Sequence, residues 1–562
     1  MMDRIIRVDL ANQKIIEEMA PKEFTPLGGR ALIDRILSME VDPSIHPLSR
    51  ENKLIFAPGL FAGTSVPNSG RLSVGAKSPL TSGIKEANSG GTLATRLARL
   101  GIKALILEGR SKSGAQMIVV KKDSISIVSA EDYAGFGNYE ASRRIREQFG
   151  NHVALASIGP CGEMMMSAAT IAISDTNGFP SRHCARGGLG AVMGSKHIKA
   201  IVVDDKGGSS QRPLNRDSFR AAVKEATEII KNNPRTSFFR SKGTPGLIPI
   251  DNARGSLPTR NYRLGSFDRF QGLGAERMVE LIKERGGKMG HACMPGCIVR
   301  CSTIFHDKEK AYLTSALEYE TLAMLGSNLE IDDMDTVASM DRKCDDYGLD
   351  TIEIGATLGV LGETDYFDFG DKNKALALID EIGSGTLLGR IMGQGVYVTC
   401  RVFGIDRVPA VKGQALPAHS ARSMKGLGVT YATSPQGADH TAGFVAEDPL
   451  SPEGQVERSL QAQINMLLMD SLGLCYFCFL MGNIGLFTRL INALLGLNMR
   501  EADVLNISKK ALREEIDFNV KAGIPVNNFS LPKFLESEPL FPTNEVFDVP
   551  KDEIRRIFDS IL

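Results

Sequence analysis

The sequence has 562 residues, of which 43% are hydrophobic and 23% charged, values typical of globular chains that argue against extensive disorder. Lysine plus arginine and aspartate plus glutamate both number 66, so the formal net charge is zero and no basic field exists to attract nucleic acid or an anionic membrane. At about 150 residues per domain, this length predicts three or four domains and a core able to bury a large cofactor.

The N-terminus, MMDRIIRVDL, is charged within its first four residues and lacks an apolar run before a small-residue cleavage site. We therefore expect no signal peptide and a cytoplasmic protein. The 18 uncharged residues between Asp470 and Arg489 approach the length of a membrane span, but they include three glycines and Asn483. We interpret this segment as a buried helix and turn that line a cofactor, and expect no membrane contact.

Residues 1–205 contain short β-branched runs separated by Gly, Pro and Asn, a pattern typical of strands and tight turns. The runs that predict strands are KLIFAPGLF at 53–61, ALILEG at 104–109, AQMIVVKKDSISIVSA at 115–130, VALASIG at 153–159 and IKAIVVDD at 198–205. The first 205 residues are therefore predicted to form one β-rich domain.

Beyond residue 205 the hydrophobic period changes to about 3.6, which predicts helices. The clearest helical runs are at 219–232, 276–286, 334–348 and 502–516. GIDRVPAVKG, near 405–415, interrupts this period, so we place a boundary there and expect helical domains over 206–410 and 411–562. The predicted fold class is α+β, with a β-rich N-terminal domain followed by two mostly α-helical domains.

Nine cysteines in a chain without an export signal argue against disulfides and for metal binding or buried thiols. Four of them lie singly in apolar or Gly-rich surroundings and are expected to be small buried hydrophobes: Cys161, Cys184, Cys344 and Cys400.

The other cysteines are grouped in two segments. HACMPGCIVRC carries Cys293, Cys297 and Cys301, and DSLGLC adds the distant Cys475. Three clustered thiolates and one remote thiolate are typical of a [4Fe-4S] cluster, since each iron needs one terminal soft ligand. Zinc remains an alternative, although zinc sites usually show paired C-x2-C knuckles. A radical-type cluster is disfavoured because the last interval of the triplet is wrong, and Cys478 is not expected to be a ligand.

A hexapeptide of the form D-x-x-G-L-[DC] occurs twice, as DDYGLD from Asp345 to Asp350 and as DSLGLC from Asp470 through Leu474 to Cys475. An aspartate at a helix end can accept two hydrogen bonds from an amidine-like ring edge such as that of a pterin. Two copies suggest two similar ligands. Either copy alone is equally consistent with a helix that ends at glycine.

Two Gly-rich turns, NSGGTLATRLARLG at 88–101 and RGGLGAVMGSK at 186–196, lead into helices and could cradle phosphates with free backbone N–H groups. The second differs from a nucleotide-binding P-loop in the order of its glycine, serine and lysine, which argues against ATP. A third turn, VPNSGR, ends in Arg71, which could serve a phosphate, a pterin or a cluster sulfide. The candidate cofactor-binding residues in the two turns are Asn88, Ser89, Gly90, Gly91, Arg186, Gly187 and Gly188.

Titratable candidates for catalysis are Glu318 and Glu320 in LEYET and His440 in SPQGADHTAGF. Each is weak evidence alone, because most glutamates are solvated and a histidine in a loop is usually surface.

Taken together, ANSGG, ASIGPCGE, RGGLGAVMGSK, EYET, DDYGLD, YAT…H and DSLGLC resemble the tungsten-containing aldehyde ferredoxin oxidoreductase family, over nearly the whole chain. The resemblance implies a β-rich base for a tungsten bis-pterin centre, with molybdenum possible, below two helical domains and beside one [4Fe-4S] cluster. It also implies oxidation of a small aldehyde to a carboxylic acid.

Residue by residue, the resemblance implies that Asp345, Asp350 and Asp470 accept from the pterin rings. Backbone oxygens of Asn88 and Cys184 would help hold Mg²⁺ between the pterin phosphates. In the same way, Arg71 would link pterin and cluster, Cys475 would be the remote cluster ligand, and Glu320, preferred over Glu318, would form an acid–base pair with His440.

Two features depart from the family pattern. Members commonly show C-x2-C-x3-C, whose first cysteine falls here on Gly290, so we expect Cys301 to substitute. The Glu-x-x-His that binds a lone iron between subunits is replaced by Ser339 and Arg342, so we expect no mononuclear iron. A homo-oligomer built around that iron is therefore in doubt.

The single cysteine cluster implies that electrons leave to ferredoxin or to an iron–sulfur partner subunit. One alternative is a related catalytic subunit of a larger complex that reduces activated aromatic acids with the same cofactor. Another is a non-catalytic electron-transfer subunit, against which the retained Glu320 and His440 argue.

Overall fold

The computed structural model describes residues 2–481, 484–525 and 529–562. The N-terminal region is built mainly of strands, as predicted. Its strands are β1 Arg4–Asp9, β2 Lys14–Met19, β3 Leu54–Pro58, β4 Leu72–Lys77, β5 Ile84–Ser89, β6 Ile102–Glu108, β7 Gln116–Val120, β8 Ile125–Ser129, β9 Ala154–Ser157, β10 Ile171–Ile173, β11 Arg182–Cys184 and β12 Ile198–Val203. Its helices are α1 Gly29–Glu40, α2 Leu93–Arg99, α3 Asn138–Phe149, α4 Pro160–Glu163 and α5 Leu189–Ser195.

These strands form two six-stranded sheets, ordered β2-β1-β6-β3-β4-β5 and β11-β10-β9-β12-β7-β8. Strands β3, β4 and β12 are buried along their whole length, which explains their continuous apolar runs. Strand β5 ends the first sheet and β11 ends the second, and the two edge strands lie against each other. This arrangement brings Asn88, on β5, and Cys184, on β11, to the same junction.

The rest of the chain is mostly helical, as predicted. Its helices are α6 Arg216–Asn232, α7 Pro234–Lys242, α8 Ile248–Arg254, α9 Ala275–Arg285, α10 Tyr319–Met324, α11 Met334–Tyr347, α12 Thr351–Leu361, α13 Lys372–Ser384, α14 Leu387–Met392, α15 Val396–Phe403, α16 Lys425–Thr433, α17 Gln455–Leu472, α18 Ile484–Leu495, α19 Glu501–Lys521, α20 Lys533–Ser537 and α21 Lys551–Arg555. Helix α12 is buried from Ile352 to Leu361 and lies inside the largest hydrophobic core, although it carries the buried Glu353.

The structure adds strands that the sequence pattern did not predict. Strands β13 Lys288–His291, β14 Ser302–His306 and β15 Tyr312–Ser315 form an antiparallel sheet, and β16 Ala410–Val411 pairs with β17 Gln414–Ala415 near the expected helical boundary. The cysteine segment lies between β13 and β14, so it is a long hairpin loop. The glycine and proline of this loop interrupt the alternation of polar and apolar residues by which the two short strands could have been predicted.

The uncharged segment after Asp470 is divided between two helices. Helix α17 ends at Leu472, a short 3₁₀ turn spans Tyr476–Met481, and α18 begins at Ile484. Gly482 and Asn483 lie outside the described residues. Within the described ranges, no helix is both long and apolar enough to cross a membrane.

Candidate functional site

A cavity of about 820 Å³ lies where the edge of the first sheet, the cysteine loop, α10 and the end of α17 meet. Many predicted site residues line it, although they are far apart in sequence. These are Arg71, Asn88, Ser89, Gly90, Cys293, Cys301, Glu320, His440, Asp470 and Cys475. Glu318, Arg182, His183 and His419 line it as well.

At the sheet edge, Arg71 and Asn88 hold each other in place. The Arg71 guanidinium donates from Nε to Asn88 Oδ1 and from Nη2 to the Asn88 carbonyl oxygen, the latter at 3.0 Å. Asn88 Nδ2 in turn donates to Asp470 Oδ1 at 3.0 Å. The Asn88 carbonyl therefore already accepts from Arg71, and the magnesium role of Asn88 and Cys184 stays a prediction.

The first Gly-rich turn packs against the cysteine loop. A Cβ added to Gly90 would lie 3.2 Å from Cys293 Sγ, and Gly91, at a φ of +96°, donates its N–H to the Cys293 carbonyl at 2.9 Å. Glycine is needed here because this close approach leaves little room for a side chain. The turn therefore fixes the position of Cys293. This contact could not be predicted from the sequence pattern.

The four predicted cluster cysteines lie close together. Burial and the nearby Glu318, Cys293 and Cys475 raise the pKa of the Cys301 thiol. Burial also raises the pKa of Cys475 to about 11, although Arg71 opposes this effect. The Cys475 N–H donates to the Asn68 carbonyl at 2.9 Å, which anchors the remote thiol beside the loop.

Cys297 and Cys478 also belong to this region. Cys297 contacts Cys293 and accepts from the Arg300 N–H at 3.4 Å, while Cys478 lies 3.9 Å from the Asn68 carbonyl oxygen. Among the described residues, no group of three or more His, Cys, Asp or Glu side chains is arranged around a single ion position. The assignment of cluster ligands stays a prediction.

Both hexapeptides form helix ends, and their proposed role in binding two similar ligands stays a prediction. Gly348 follows the last residue of α11 and Gly473 that of α17, and both glycines lie in the left-handed region, at φ +75° and +73°. A Cβ on Gly59 would come within 2.0 Å of Gly473, and this close contact seats the end of α17 on the first sheet. Asp470, in the last turn, is thereby held in the cavity wall.

Asp470 lies in the cavity wall, and its role as an acceptor for a pterin ring stays a prediction. It is buried, and burial raises its pKa to about 6 despite the opposing charges of Arg30 and Arg71. Leu474, after the same turn, is buried behind it.

The first copy is oriented differently. Asp345 accepts from the Tyr139 hydroxyl at 3.2 Å and lies 3.0 Å from His183 Nε2, and His183 lines the cavity. Asp350 caps α12 and pairs with Arg186 at 3.2 Å. Of the two copies, only the second brings its first aspartate directly to the cavity wall.

The second Gly-rich turn contacts a buried lysine. Arg186 donates to the Ala415 carbonyl at 2.8 Å as well as pairing with Asp350, and Gly187 and Gly188 have φ angles of +86° and +73°. A Cβ on Gly187 would lie 2.3 Å from Lys85 Cγ, so this glycine makes room for the lysine stem. The phosphate-binding role of this turn stays a prediction.

The acid–base candidates do meet. Glu320, in the first turn of α10, places Oε1 3.4 Å from His440 Nδ1, and its Oε2 accepts from the Ala418 N–H at 2.8 Å. Burial lowers the pKa of His440 below its ordinary value, even though Glu320 and Asp439 oppose the shift. His440 is therefore mainly neutral near pH 7 and can accept or share a proton. Glu318 points elsewhere, to Thr244 and Arg182.

His419 is a site residue that the sequence analysis missed. Its Nε2 lies 3.5 Å from Glu320 Oε1 and its Nδ1 3.8 Å from Asp251 Oδ1, while its ring stacks on Tyr319 at 4.7 Å. Burial lowers the pKa of His419, but Asp251 and Glu320 more than offset this, so it is raised overall. The residues around it, PAHS, show neither a helical nor a strand period. The one sequence feature that could have drawn attention to His419 is that the chain contains only eight histidines.

A buried ion pair orients His440. Asp439 accepts from Lys85 Nζ at 2.9 Å and from the Thr441 N–H at 3.0 Å, which caps the short turn that carries His440. Burial alone would raise the pKa of Asp439, but Lys85 and Arg186 hold it well below the ordinary value.

Replacing Asp439 with asparagine should lower the free energy of unfolding by about 3 kcal/mol at pH 7, because the Lys85 charge would remain buried without its partner. Since the folded-state pKa is depressed, the carboxylate stabilises the fold above its unfolded value of about 4, and this contribution is lost as the pH falls below that value. Chemical denaturation at pH 7 and pH 3 checks this. If the unchanged protein and Asp439→Asn differ in free energy of unfolding by the same amount at pH 7 and pH 3, the prediction is contradicted. Asp448→Asn, at an exposed site, is the control.

Sequence comparison places this arrangement in a known group. The model of the aldehyde ferredoxin oxidoreductase N-terminal domain matches residues 5–205, and that of domains 2 and 3 of the same enzyme matches residues 221–558. The chain belongs to the aldehyde ferredoxin oxidoreductase family. The tungsten-containing aldehyde ferredoxin oxidoreductase of Pyrococcus horikoshii is 34% identical over 96% of this chain and 92% of its own, and the Pyrococcus furiosus protein of that name is 32% identical with the same coverage.

Other similar proteins are named for different activities. The WOR-like subunit of an aliphatic sulfonate oxidoreductase from Pyrococcus furiosus is 28% identical over 78% of this chain and 74% of its own. The active-site complex BamBC of benzoyl coenzyme A reductase, solved with 1,5-dienoyl-CoA, superposes with a TM-score of 0.83 over 100% of this chain and 93% of that one, at 18% identity. This last likeness establishes the mixed fold of the family member described here.

The positions that differ from the family's iron site are occupied by other contacts. Ser339 donates to the Asp335 carbonyl at 2.8 Å, and the Arg342 guanidinium lies 3.3 Å from the centre of the Tyr139 ring. The expected lack of a mononuclear iron stays a prediction.

Proposed function

We propose that this protein oxidises aldehydes to carboxylic acids at a tungsten bis-pterin centre, with molybdenum as the alternative metal. One [4Fe-4S] cluster would pass the electrons to ferredoxin or to an iron–sulfur partner subunit. The observation that carries the proposal is that the Glu320–His440 pair, Asp470 and three of the four candidate cluster cysteines, Cys293, Cys301 and Cys475, all line one cavity. Relatives named as tungsten-containing aldehyde oxidoreductases support it.

The residues present suit such a group. Several buried polar atoms of the cavity wall lack a hydrogen-bond partner among the described residues: Arg182 Nε, Glu320 Oε1, His419 Nδ1 and His440 Nδ1. Unpaired buried polar groups are costly, and a polar occupant of the cavity would supply partners for these atoms. Asp470 and Arg71 would hold the pterin, and Cys293, Cys297, Cys301 and Cys475 the cluster.

When bound, the metal centre would supply a Lewis acid and a two-electron acceptor. The conversion of an aldehyde and water into a carboxylic acid releases two protons and two electrons. Glu320 would accept a proton from the attacking water or hydrated aldehyde at Oε1, which lies beside His440 and His419, while Oε2 is fixed by the Ala418 N–H. Neutral His440 would hydrogen-bond the substrate oxygen.

His419 would act as a positioning residue for Glu320. Replacing it with glutamine should lower kcat about tenfold with little change in KM, since the Glu320 carboxylate would lose its second neighbour while the cavity stays open. The pH dependence of kcat should also change shape, because a titratable imidazole would no longer face Glu320. His46→Gln, at an exposed loop, is the control. An unchanged pH profile would assign His419 to packing alone.

A direct test is to purify the protein without oxygen and supply an aldehyde with oxidised benzyl viologen. We expect two equivalents of dye to be reduced for each carboxylic acid formed. Dye reduction without acid formation would contradict the proposal.

A further inference from the structure

The cysteine loop reaches the outside of the protein. Pro295 and Gly296, between its first two cysteines, are exposed, and a Cβ added to Gly296 would meet no described atom within 4 Å beyond its chain neighbours. Arg300, further along the loop, is exposed as well. None of these three residues is among those that line the cavity. The loop therefore has one side on the cavity and another on the solvent.

Two segments at this surface carry basic residues and no acidic ones. Residues 229–250 include α7, residues 286–306 include β13 and the cysteine loop, and neither range contains an aspartate or a glutamate. Their lysines and arginines are Lys231, Arg235, Arg240, Lys242, Lys288 and Arg300. The whole chain has a formal net charge of zero, so this excess of positive charge is local.

Direct contacts join the two segments. Helix α7 packs against β13, and Arg240 Nη2 donates to the Ile298 carbonyl at 2.6 Å. A Cβ added to Gly290 would lie 3.4 Å from Arg240 Cγ and 3.9 Å from the Arg300 carbonyl oxygen. Lys288 lies two residues before Gly290 in β13. Arg240, Lys288 and Arg300 are all exposed and form one group, which we call the basic patch.

The charges of the basic patch are not balanced from within the chain. Over the described ranges, no carboxylate forms an ion pair with any of its three side chains, whereas the nearby Lys242 pairs with Glu276. On the cavity side of the loop, Arg71 and Arg182 already lie beside the thiols. The exposed charges of the patch are therefore available to an anionic surface outside the protein.

The basic patch adjoins the thiols proposed to hold the cluster. The Arg300 N–H donates to Cys297 Sγ at 3.4 Å. Gly243, which follows α7, lies so close to the loop that an added Cβ would be 2.8 Å from the Cys301 carbonyl oxygen. Because electron transfer slows steeply with distance, an electron carrier must dock close to the cluster. The basic patch lies where the loop meets the solvent.

We propose, on the basis of the function proposed above, that the basic patch docks a small, strongly acidic ferredoxin that takes electrons from the adjacent cluster. The oxidation of each aldehyde to a carboxylic acid supplies two electrons and releases two protons. The electrons leave one at a time and reduce two oxidised ferredoxin clusters by one electron each. Complementary charge raises the rate of encounter more than the affinity, which suits a carrier that must dissociate after each transfer.

The test uses the anaerobically purified holoenzyme, an aldehyde that it oxidises with viologen, and an oxidised, strongly acidic bacterial-type ferredoxin. In the double variant Lys288→Glu with Arg300→Glu, the KM for ferredoxin should rise about tenfold at about 0.01 M salt, where the screening length is about 30 Å. The difference should nearly vanish at about 1 M salt, where that length is about 3 Å. The iron content and the kcat with viologen should stay unchanged, since that dye needs no docking protein.

Lys374→Glu with Arg401→Glu is the matched control, because both side chains are exposed, on α13 and α15, and the change in charge is the same. An unchanged KM for ferredoxin in the patch variant, or an equal rise in the control, would overturn the basic patch as the docking site. If the patch variant contains less iron than the unchanged protein, Lys288→Glu alone is measured instead, with an expected rise of about threefold.

A binding measurement separates this inference from the proposed function. Isothermal titration calorimetry of the iron-loaded protein with oxidised ferredoxin needs no turnover, and the affinity should fall in the patch variant but not in the control. Binding that depends on the basic patch, without any aldehyde oxidation, would sink the proposed function but support the docking site. Aldehyde oxidation with ferredoxin binding that is the same in the patch variant would overturn the docking site alone.

Discussion

Aldehyde oxidation by Glu320→Gln is expected to be roughly 10² to 10⁴ slower than by the unchanged protein, the range typical of a lost general base. Glutamine keeps the size of the side chain and can still accept from the Ala418 N–H, but it cannot take up a proton. His440→Asn should show a similar loss. Neither change touches the cysteine loop or Asp470, so tungsten, pterin and iron contents should stay normal.

The double variant adds a sharper test of the same pair. Since Glu320 and His440 lie 3.4 Å apart and would act in one transition state, the double variant should lose little more than the worse single variant. Glu330→Gln, on a half-buried turn beyond α10, is a matched control for the charge change. Near-normal turnover by fully metal-loaded Glu320→Gln would return Glu320 and His440 to structural roles.

The second large effect concerns the cluster. Cys301→Ser should remove the [4Fe-4S] cluster or convert it to a three-iron form, because Cys301 is expected to supply the thiolate that the C-x2-C-x3-C pattern places elsewhere. Iron analysis and low-temperature EPR of the dithionite-reduced protein measure this. Electron transfer to viologen should be lost with the cluster.

Cys478→Ser is the matched control for Cys301→Ser. Cys478 is fully buried near Cys475, but its sulfur lies 3.9 Å from the Asn68 carbonyl oxygen, outside the cysteine loop. This variant should keep about four irons per chain. Four irons retained in Cys301→Ser, or a cluster lost in Cys478→Ser, would show that the ligand set is assigned wrongly.

Local pattern was sufficient for much of the fold. Helices α6, α9, α11 and α19 lie where the 3.6-residue period predicts them, since each buries one apolar stripe. The strand pair β13 and β14 escaped prediction because both strands are short and the cysteine loop separates them.

Some residues of the candidate site could likewise be predicted from the sequence, and others could not. Asp470 was predictable because a repeated motif marks it, and Glu320 and His440 because a family resemblance does. His419 and the Lys85–Asp439 pair were not predictable, since their roles depend on contacts across long stretches of chain that leave no periodic trace.

Metal dependence tests the central claim most directly. The protein should be prepared without oxygen from cells supplied with tungstate, with molybdate or with neither, and the aldehyde-dependent reduction of viologen measured against metal content. We expect activity to rise in proportion to the tungsten or molybdenum bound, and protein that carries iron alone to be inactive. Full aldehyde oxidation by protein with neither metal, or none by protein loaded with both metal and cluster, would contradict the account.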